Sequence, residues 1–580
     1  MSWSASRFLV QRARLKRFLR ISEWQSMLAW AVVAGLLGTA ATEAFRLLLR
    51  WLDLAVLGQG GGLVALAQSL PAWARVAVPA AGGLVAGALL VLARRLGKPE
   101  TKSDYMEAIV LGDGRIPVAQ TMARSASSLV SIASGGSIGR EGSMVQLAAL
   151  CASLLGRRLR FPVERLRVLV ACGAAAGLTA AYNAPIAGAF FVAEIVLGSI
   201  AMESLGPILI AAVVANIAMR ALPGYEPPYA MPTFPTVTGA EVVLFVLLGV
   251  LLGAAGAMFL RGLRQARNLF QRTSLPLPLR LALGGLVVGL ISWRFPEVWG
   301  NGYSVVNSVL HTDWPWALLL MIVAAKSVAT LATVGSGAVG GVFTPALFFG
   351  CMLGTLFGQG IHQLWPQATA APFAYGIVGM GAFLAGATQA PLMAILMIFE
   401  MTLSYQVMLP LMAASVVAYF IVRSTRSGSM YEITEHRHLR QIERERLRAS
   451  DMLSLVQPTE TVVPETADLQ QMSALFLKHP VKYLYVVDAQ NRYQGVVPLR
   501  QLTAAMTVKG TASGHGRCAS DFLSREIPPI TQDMNLGAAL QRFIEHQGER
   551  LPVVRSVNDP ELLGVVHKTA LLQTYVRLSE

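Results

Sequence analysis

Long apolar runs, interrupted by glycine, proline and isolated charges, fill the chain up to about residue 422. Residues 27–49 form the first span and residues 75–92 the second, the latter broken by Pro79 and glycines. Further spans are predicted at 241–259, 316–331 and 407–422, with Arg261, Arg264 and Arg267 following the first of these three. An α-helix needs about 20 residues to cross ~30 Å of hydrocarbon. Segments 148–155, 185–200 and 344–358 fall short of that length. Short segments of this kind predict helices that stop at mid-membrane. Irregular backbone at that depth must be buried in protein or line an aqueous cavity.

One short segment is preceded by polar and glycine residues. Residues 134–156 read SGGSIGREGSMVQLAALCASLLG, with Arg140 and Glu141 at the start of the apolar stretch. A glycine-rich helix start leaves its first backbone N–H groups free. Those groups and the positive end of the helix dipole make an anion site without a cationic side chain. A carboxylate at Glu141 sits where it can compete with a dissolved anion. The same pattern also fits a solvent-facing loop before an ordinary transmembrane helix.

An internal repeat narrows this choice. Residues 336–358, SGAVGGVFTPALFFGCMLGTLFG, align with 134–156 at an offset of 202, with five identities in 23 positions. Residues 389–400, QAPLMAILMIFE, align with 183–194, NAPIAGAFFVAE, at an offset of 206. Two blocks in one order at nearly one offset predict a duplicated architecture. Broken segments in matching positions of two halves point to a midplane site. The site is expected where 139–143 and 341–345 converge. Glu141 has Phe343 as its counterpart, so the halves differ in charge at that position.

Composition agrees with a helical membrane protein. Of 580 residues, 54% are hydrophobic and 14% charged, well below the quarter or so charged in soluble domains. Continuous rather than alternating apolar runs imply helices and not a barrel. The net charge of +15 would suggest nucleic acid in a soluble chain. Here the basic residues flank apolar spans, where positive-inside topology and anionic lipid account for them. No nucleic-acid partner is expected. Four cysteines without a CxxC predict neither a disulfide framework nor a metal site. Residues 1–26 form an N-terminal segment with six basic residues between 7 and 20 and no cleavage pattern. It reads as a cytoplasmic, amphipathic lead-in.

Past residue 422 the character changes. Residues 423–448 carry seven arginines among acids and histidines, reading as a solvated connecting helix. From 451 the hydropathy is that of a soluble protein. Strands are expected at 483–487 and 494–497, with a helix from 502. The pattern recurs as strands at 551–554 and 563–566 and a helix at 569–578. Paired βαββα units of this kind, at 451–506 and 518–578, dock face to face.

The motifs now in hand resemble those of the CLC family of chloride channels and proton-coupled chloride exchangers. Residues 139–143, GREGS, are similar to the family's GREGP, with Ser143 for the final proline. Residues 341–345, GVFTP, fit its GxFxP, and Ser429-Met430-Tyr431 resembles the start of the last membrane helix with its pore tyrosine. The wording SGGSIGREGS and SDYMEAI is closest to the bacterial ClcB-type branch. The resemblance covers about residues 27–440, and the tail resembles a tandem pair of CBS domains.

That resemblance implies an all-α polytopic membrane domain of two inverted repeats with broken helices, followed by a cytoplasmic α/β CBS pair. It implies a homodimer in the lipid of a bacterial inner membrane, with one pore per subunit and both termini cytoplasmic. Backbone amides of Arg140, Glu141, Gly142, Val342 and Phe343 would cradle chloride. Tyr431 would donate its hydroxyl at the inner end. Glu141 would be the gate, filling an anion site when ionised and carrying a proton when neutral. Dipoles suit this task, since a full positive charge would hold chloride too tightly.

Two positions depart from the family. Its GSGIP serine has no clear match. The equivalent stretch, ETKSDYME at 100–107, offers Ser103 or Thr101, and Ser103 also reads as an N-cap with Met106 and Glu107 in the helix. The exchangers' inner proton-relay glutamate is replaced by Ile195, directly after the structural Glu194. An isoleucine cannot shuttle a proton. A passive, voltage-gated-type chloride channel is expected, the alternative being an exchanger whose protons reach Glu141 through water or another group. The CBS units have Pro498–Gln501 and His567–Ala570 where nucleotide binders carry an aspartate. A structural, dimer-stabilising tail without cofactor is therefore expected. Other classes fit less well. An intramembrane hydrolase would need to pair Ser134 with Lys326, and no HExxH occurs. A CBS-regulated cation transporter would need Glu141, Glu194 and Glu400 as a ring of ligands.

Overall fold

Two stretches of small and apolar residues form the centre of the membrane domain. Every residue from Leu169 to Tyr182 in helix Val163–Tyr182 is buried. The same holds from Ala374 to Thr388 in helix Pro372–Thr388. A helix apolar on all sides belongs inside a bundle. Both end on a residue in the left-handed region, Asn183 (φ 61°) and Gln389 (φ 57°), and both lead directly into Ala-Pro and the next helix. This repeated turn is the backbone form of the second sequence repeat.

The computed structural model describes residues 23–57, 62–96, 104–198, 200–425, 427–431, 455–507, 517–545 and 548–579. The chain divides into two compact units, Met1–Glu435 and His436–Glu580. Among the described residues of the first unit, eight helices are long and apolar enough to cross a membrane. They include Gln25–Leu52, Ala72–Arg95, Met202–Arg220, Glu241–Arg272, Leu277–Arg294 and Trp316–Gly335. Phe343–Leu364 and Tyr405–Ser424 complete them. Of the expected N-terminal lead-in, residues 1–22 lie outside the described residues and 23–26 already belong to the first helix; of the connecting helix expected over 423–448, residues 427–431 are not helical and 432–448 lie outside the described residues.

Three expectations need correction. Helix Ala72–Leu96 runs on through Pro79 rather than breaking there. A proline strips the hydrogen bond from the carbonyl four residues back, here that of Arg75. The Ser292 hydroxyl, on the neighbouring helix Leu277–Arg294, stands 3.1 Å from that carbonyl and 2.8 Å from the Gly289 carbonyl, so its one hydrogen is shared between the two. Glycines bring the two backbones close enough. A Cβ at Gly285 would lie 2.0 Å from the Pro79 carbonyl oxygen.

Secondly, the segment read as 344–358 is part of Phe343–Leu364, whose 22 residues are not short. The apolar pattern fades at Gln359 and His362, but the helix does not. Likewise 148–155 is the second half of Glu141–Arg158, which has 18 residues. The segment at 185–200 does stay short. Helix Pro185–Phe190 passes into a π-helical turn, Phe191–Leu197. Thirdly, helix Tyr105–Val110 is capped by Asp104, whose carboxylate accepts from the Met106 N–H at 2.7 Å. Ser103 and Thr101 lie outside the described residues.

In the second unit each repeat builds a three-stranded sheet. Strands β1 (Val462–Pro464), β2 (Tyr483–Val487) and β3 (Tyr493–Pro498) stand in that order, β1 parallel and β3 antiparallel to β2. Strands β4 (Ile530–Thr531), β5 (Arg550–Val554) and β6 (Leu562–His567) repeat the arrangement. Helices Leu469–Lys478 and Leu499–Thr507 flank the first sheet in sequence, Leu536–Glu545 and Lys568–Ser579 the second. The repeats share one apolar core containing Tyr485, Val496, Val553 and Val565. Tyr493 N–H donates to the Pro560 carbonyl at 2.8 Å, and the Tyr483 hydroxyl to that of Arg550 at 2.6 Å.

Candidate functional site

The two glycine-rich helix starts meet directly. Gly139 and Gly341 form an antiparallel bridge, each N–H donating to the other's carbonyl at 2.8 and 2.9 Å. Residues 202 apart in sequence thus face each other as a local two-fold pair. Gly142 lies just behind the bridge, where a Cβ would come within 3.3 Å of the Gly340 backbone.

Glu141 is the first residue of its helix, yet its side chain serves the other helix. Its Oε1 accepts from the Phe343 N–H at 3.0 Å and the Thr344 N–H at 3.1 Å. Its Oε2 accepts from the Thr344 hydroxyl at 2.9 Å. The two N–H groups are free first-turn donors of Phe343–Leu364, a helix start that favours negative charge, and the carboxylate fills it. It is 4% exposed. Both bridging glycines are needed for this pose. A Cβ at Gly139 or at Gly341 would stand 2.1 Å from one of the carboxylate oxygens.

The charged pair seen in the sequence parts company here. Arg140 sends its guanidinium over the Tyr303 ring, 5.0 Å from the centroid. Among the described residues no Arg140–Glu141 ion pair is present. The site's donors to Glu141 are therefore neutral. Val342 is the N-cap of the second helix and its carbonyl accepts from Ala346 N–H at 3.0 Å. The Phe343 ring lies inward, 5.0 Å from Tyr182. Ser143 is buried in the first helical turn, its hydroxyl without a partner among the described residues. Tyr431 packs edge-on against Phe191 at 5.7 Å, and its N–H donates to the Ser429 hydroxyl at 3.3 Å. Ser103, the remaining anion-ligand candidate, lies outside the described residues.

Thr344 and Tyr182 are residues that sequence reasoning missed. The Tyr182 hydroxyl stands 2.7 Å from Thr344 Oγ1, and that of Tyr303 stands 3.5 Å away. A signal existed for Thr344, as the polar residue of GVFTP. None existed for Tyr182, which closes an apolar helix 162 positions earlier.

The remaining carboxylates have structural duties. Glu194 accepts from the Leu392 and Met393 N–H groups at 3.3 and 2.8 Å. Glu400 accepts from those of Ile186 and Ala187, both at 2.8 Å. Each half's glutamate thus caps the broken helix of the other half. Among the described residues they form no ring with Glu141. Ile195, 1% exposed, follows Glu194 in the π-helical turn. Lys326 donates to the Val298 and Gly300 carbonyls at 2.8 and 2.7 Å. Ser134 donates to the Ser131 carbonyl at 3.2 Å, so the hydrolase pairing is not made. Among the described residues no cluster of three metal-ligating side chains occurs. In the tail, Pro498 and His567 sit at strand-to-helix junctions.

Comparison with known proteins identifies the family of each unit. Residues 82–423 match the voltage gated chloride channel family, and 453–507 and 519–577 match the CBS domain. A ClcB-like chloride channel protein of Ralstonia nicotianae is 56% identical over 409 residues, 70% of this chain and 95% of its own. The voltage-gated ClC-type chloride channel ClcB of Escherichia coli is 41% identical over 414 residues, 70% of this chain and 98% of its own. Among solved structures, a slow cyanobacterial Cl−/H+ antiporter aligns with TM-score 0.62 and 26% identity, over 71% of this chain and 97% of its own. A eukaryotic CLC transporter aligns with TM-score 0.60 and 16% identity over 94% of this chain and 97% of its own, a likeness of fold.

Proposed function

The chain belongs to the voltage-gated chloride channel family, and from that premise we propose that it is a chloride channel gated by Glu141. The observation that carries this reading is the Glu141 carboxylate seated on the Phe343 and Thr344 donors. An anion of similar charge fits the same donors once the carboxylate leaves. Neutral dipoles bind it firmly enough to strip part of its water, yet weakly enough to let it go. Protonation of Glu141 removes its charge, and with it most of its claim on these donors. Gly142 and Val342 complete the cradle, and Tyr431 belongs to its inner end. Two copies pair in a bacterial inner membrane, each with its own pore, with the CBS tail in the cytoplasm.

Ile195 supports the channel over the exchanger, because no titratable side chain follows Glu194. One observation favours the second reading: a solved relative is a Cl−/H+ antiporter. In that case protons reach Glu141 through water or another group. Purified protein in liposomes under an imposed chloride gradient separates the two when chloride and pH are recorded together. The channel lets chloride run downhill without moving protons. Uphill proton movement driven by chloride would overturn the channel and establish exchange.

A further inference from the structure

The hydroxyl chain beside Glu141 has a fixed direction. An ionised carboxylate only accepts hydrogen bonds. Thr344 therefore spends its single hydroxyl hydrogen on Glu141 Oε2, 2.9 Å away. The lone pairs of Thr344 Oγ1 must then receive any further partner. Tyr182, 2.7 Å away, is such a partner and donates its own hydrogen. Tyr303 approaches from 3.5 Å. Thr344 and Tyr182 are both shut off from water, at 0% and 1% exposure. With its lone pair held by Tyr182, the Thr344 hydrogen has no better direction than the place now filled by Oε2.

We propose that Thr344 is the side-chain donor that selects the transported anion, and that Tyr182 is the positioning residue that aims it. This rests on the reading of the site as an anion path. When Glu141 withdraws, the buried hydroxyl is left unsatisfied unless the incoming anion accepts from it. A pre-aimed donor favours ions of high charge density, because it replaces more of the hydration they lose. Chloride gains more than thiocyanate, whose charge is spread over three atoms. The site thus carries a hydroxyl ligand that depends on neither Ser103 nor Thr101. It comes from the second helix start and is oriented by a residue of the first half.

Liposome flux of chloride and thiocyanate tests this, read as their ratio so that any change in gate opening cancels. Thr344→Val keeps the branched shape and removes the hydroxyl. Its chloride-to-thiocyanate ratio should fall about tenfold, as expected for one hydrogen bond to a charged acceptor. Thr344→Ser should stay within about twofold of wild type, since the donor remains. Tyr182→Phe should lower the ratio about threefold, because the hydroxyl is kept but no longer aimed. A Thr344→Val protein that transports with the wild-type ratio would overturn the proposal. Should that variant not fold, Tyr182→Phe decides, and an unchanged ratio there refutes the aiming. A wild type that passes neither anion would overturn the transport reading itself, which the variants' ratios do not address.

Discussion

Replacing Glu141 by Gln keeps the size of the side chain and removes its charge. In the wild type three donors converge on the carboxylate: two backbone N–H groups and one hydroxyl, at 2.9 to 3.1 Å. Hydrogen bonds to a charged acceptor contribute ~1.5–3 kcal/mol each, against ~0.5–1.5 for neutral ones. An amide oxygen can still accept from the two N–H groups, at a loss of about 1 kcal/mol apiece. Its NH2 end faces the Thr344 hydroxyl and can donate to a lone pair of Oγ1, so the third bond also turns from a charged into a neutral one, at a similar loss of about 1 kcal/mol. The side chain is therefore held about 3 kcal/mol less tightly, which makes displacement by an anion ~100-fold easier. Chloride efflux from liposomes, measured against chloride concentration from acidic to neutral pH, reads this out. Half-maximal efflux should shift to lower chloride by up to that factor, and the dependence on pH should flatten. A variant with the wild-type half-saturation and pH profile would refute the assignment of Glu141 as the gate.

Other consequences concern stability. Glu400→Ala leaves the Ile186 N–H and the buried Ala187 N–H bare at the start of helix Pro185–Phe190, which should destabilise the membrane domain by about 1–3 kcal/mol in thermal unfolding. Glu400→Gln should recover part of that. Lys326→Met strands the Val298 and Gly300 carbonyls, and a loss of about 2–4 kcal/mol is expected in the same assay. Asp488, in the tail, is held below the usual carboxylate range, chiefly by the Arg492 backbone N–H at 2.8 Å and then by that of Gln490. A depressed carboxyl contributes above its unfolded pKa and loses that contribution as pH falls through the folded value. Amide protection in the 488–494 turn, taken relative to the intrinsic exchange rate at each pH, should therefore fall below about pH 4, and Asp488→Asn should abolish that loss.

What the sequence could reveal depended on whether the physics was local. A charged residue in glycine-rich surroundings marks Glu141 because it violates an apolar pattern. The two repeat blocks were legible for the same reason, and the Gly139–Gly341 bridge joins their starts. Pro79 misled because its compensation lies on another helix, in Ser292. The true length of Phe343–Leu364 was hidden by polar residues that a packed helix tolerates. Thr344 stood out only as the polar residue of GVFTP, and its role stayed hidden because its partner Tyr182 is distant in sequence. Glu194 and Glu400 were aligned correctly, but only folding puts each at the other's helix start.

The central claim is that a carboxylate and an anion compete for one set of donors. Anomalous scattering from bromide-soaked crystals of the Glu141→Gln protein addresses it most directly. The account predicts a bromide peak within hydrogen-bonding distance of Phe343 N, Thr344 N and Thr344 Oγ1, weaker or missing there in the wild type. Bromide elsewhere along the path, with those three donors still held by residue 141, would contradict it.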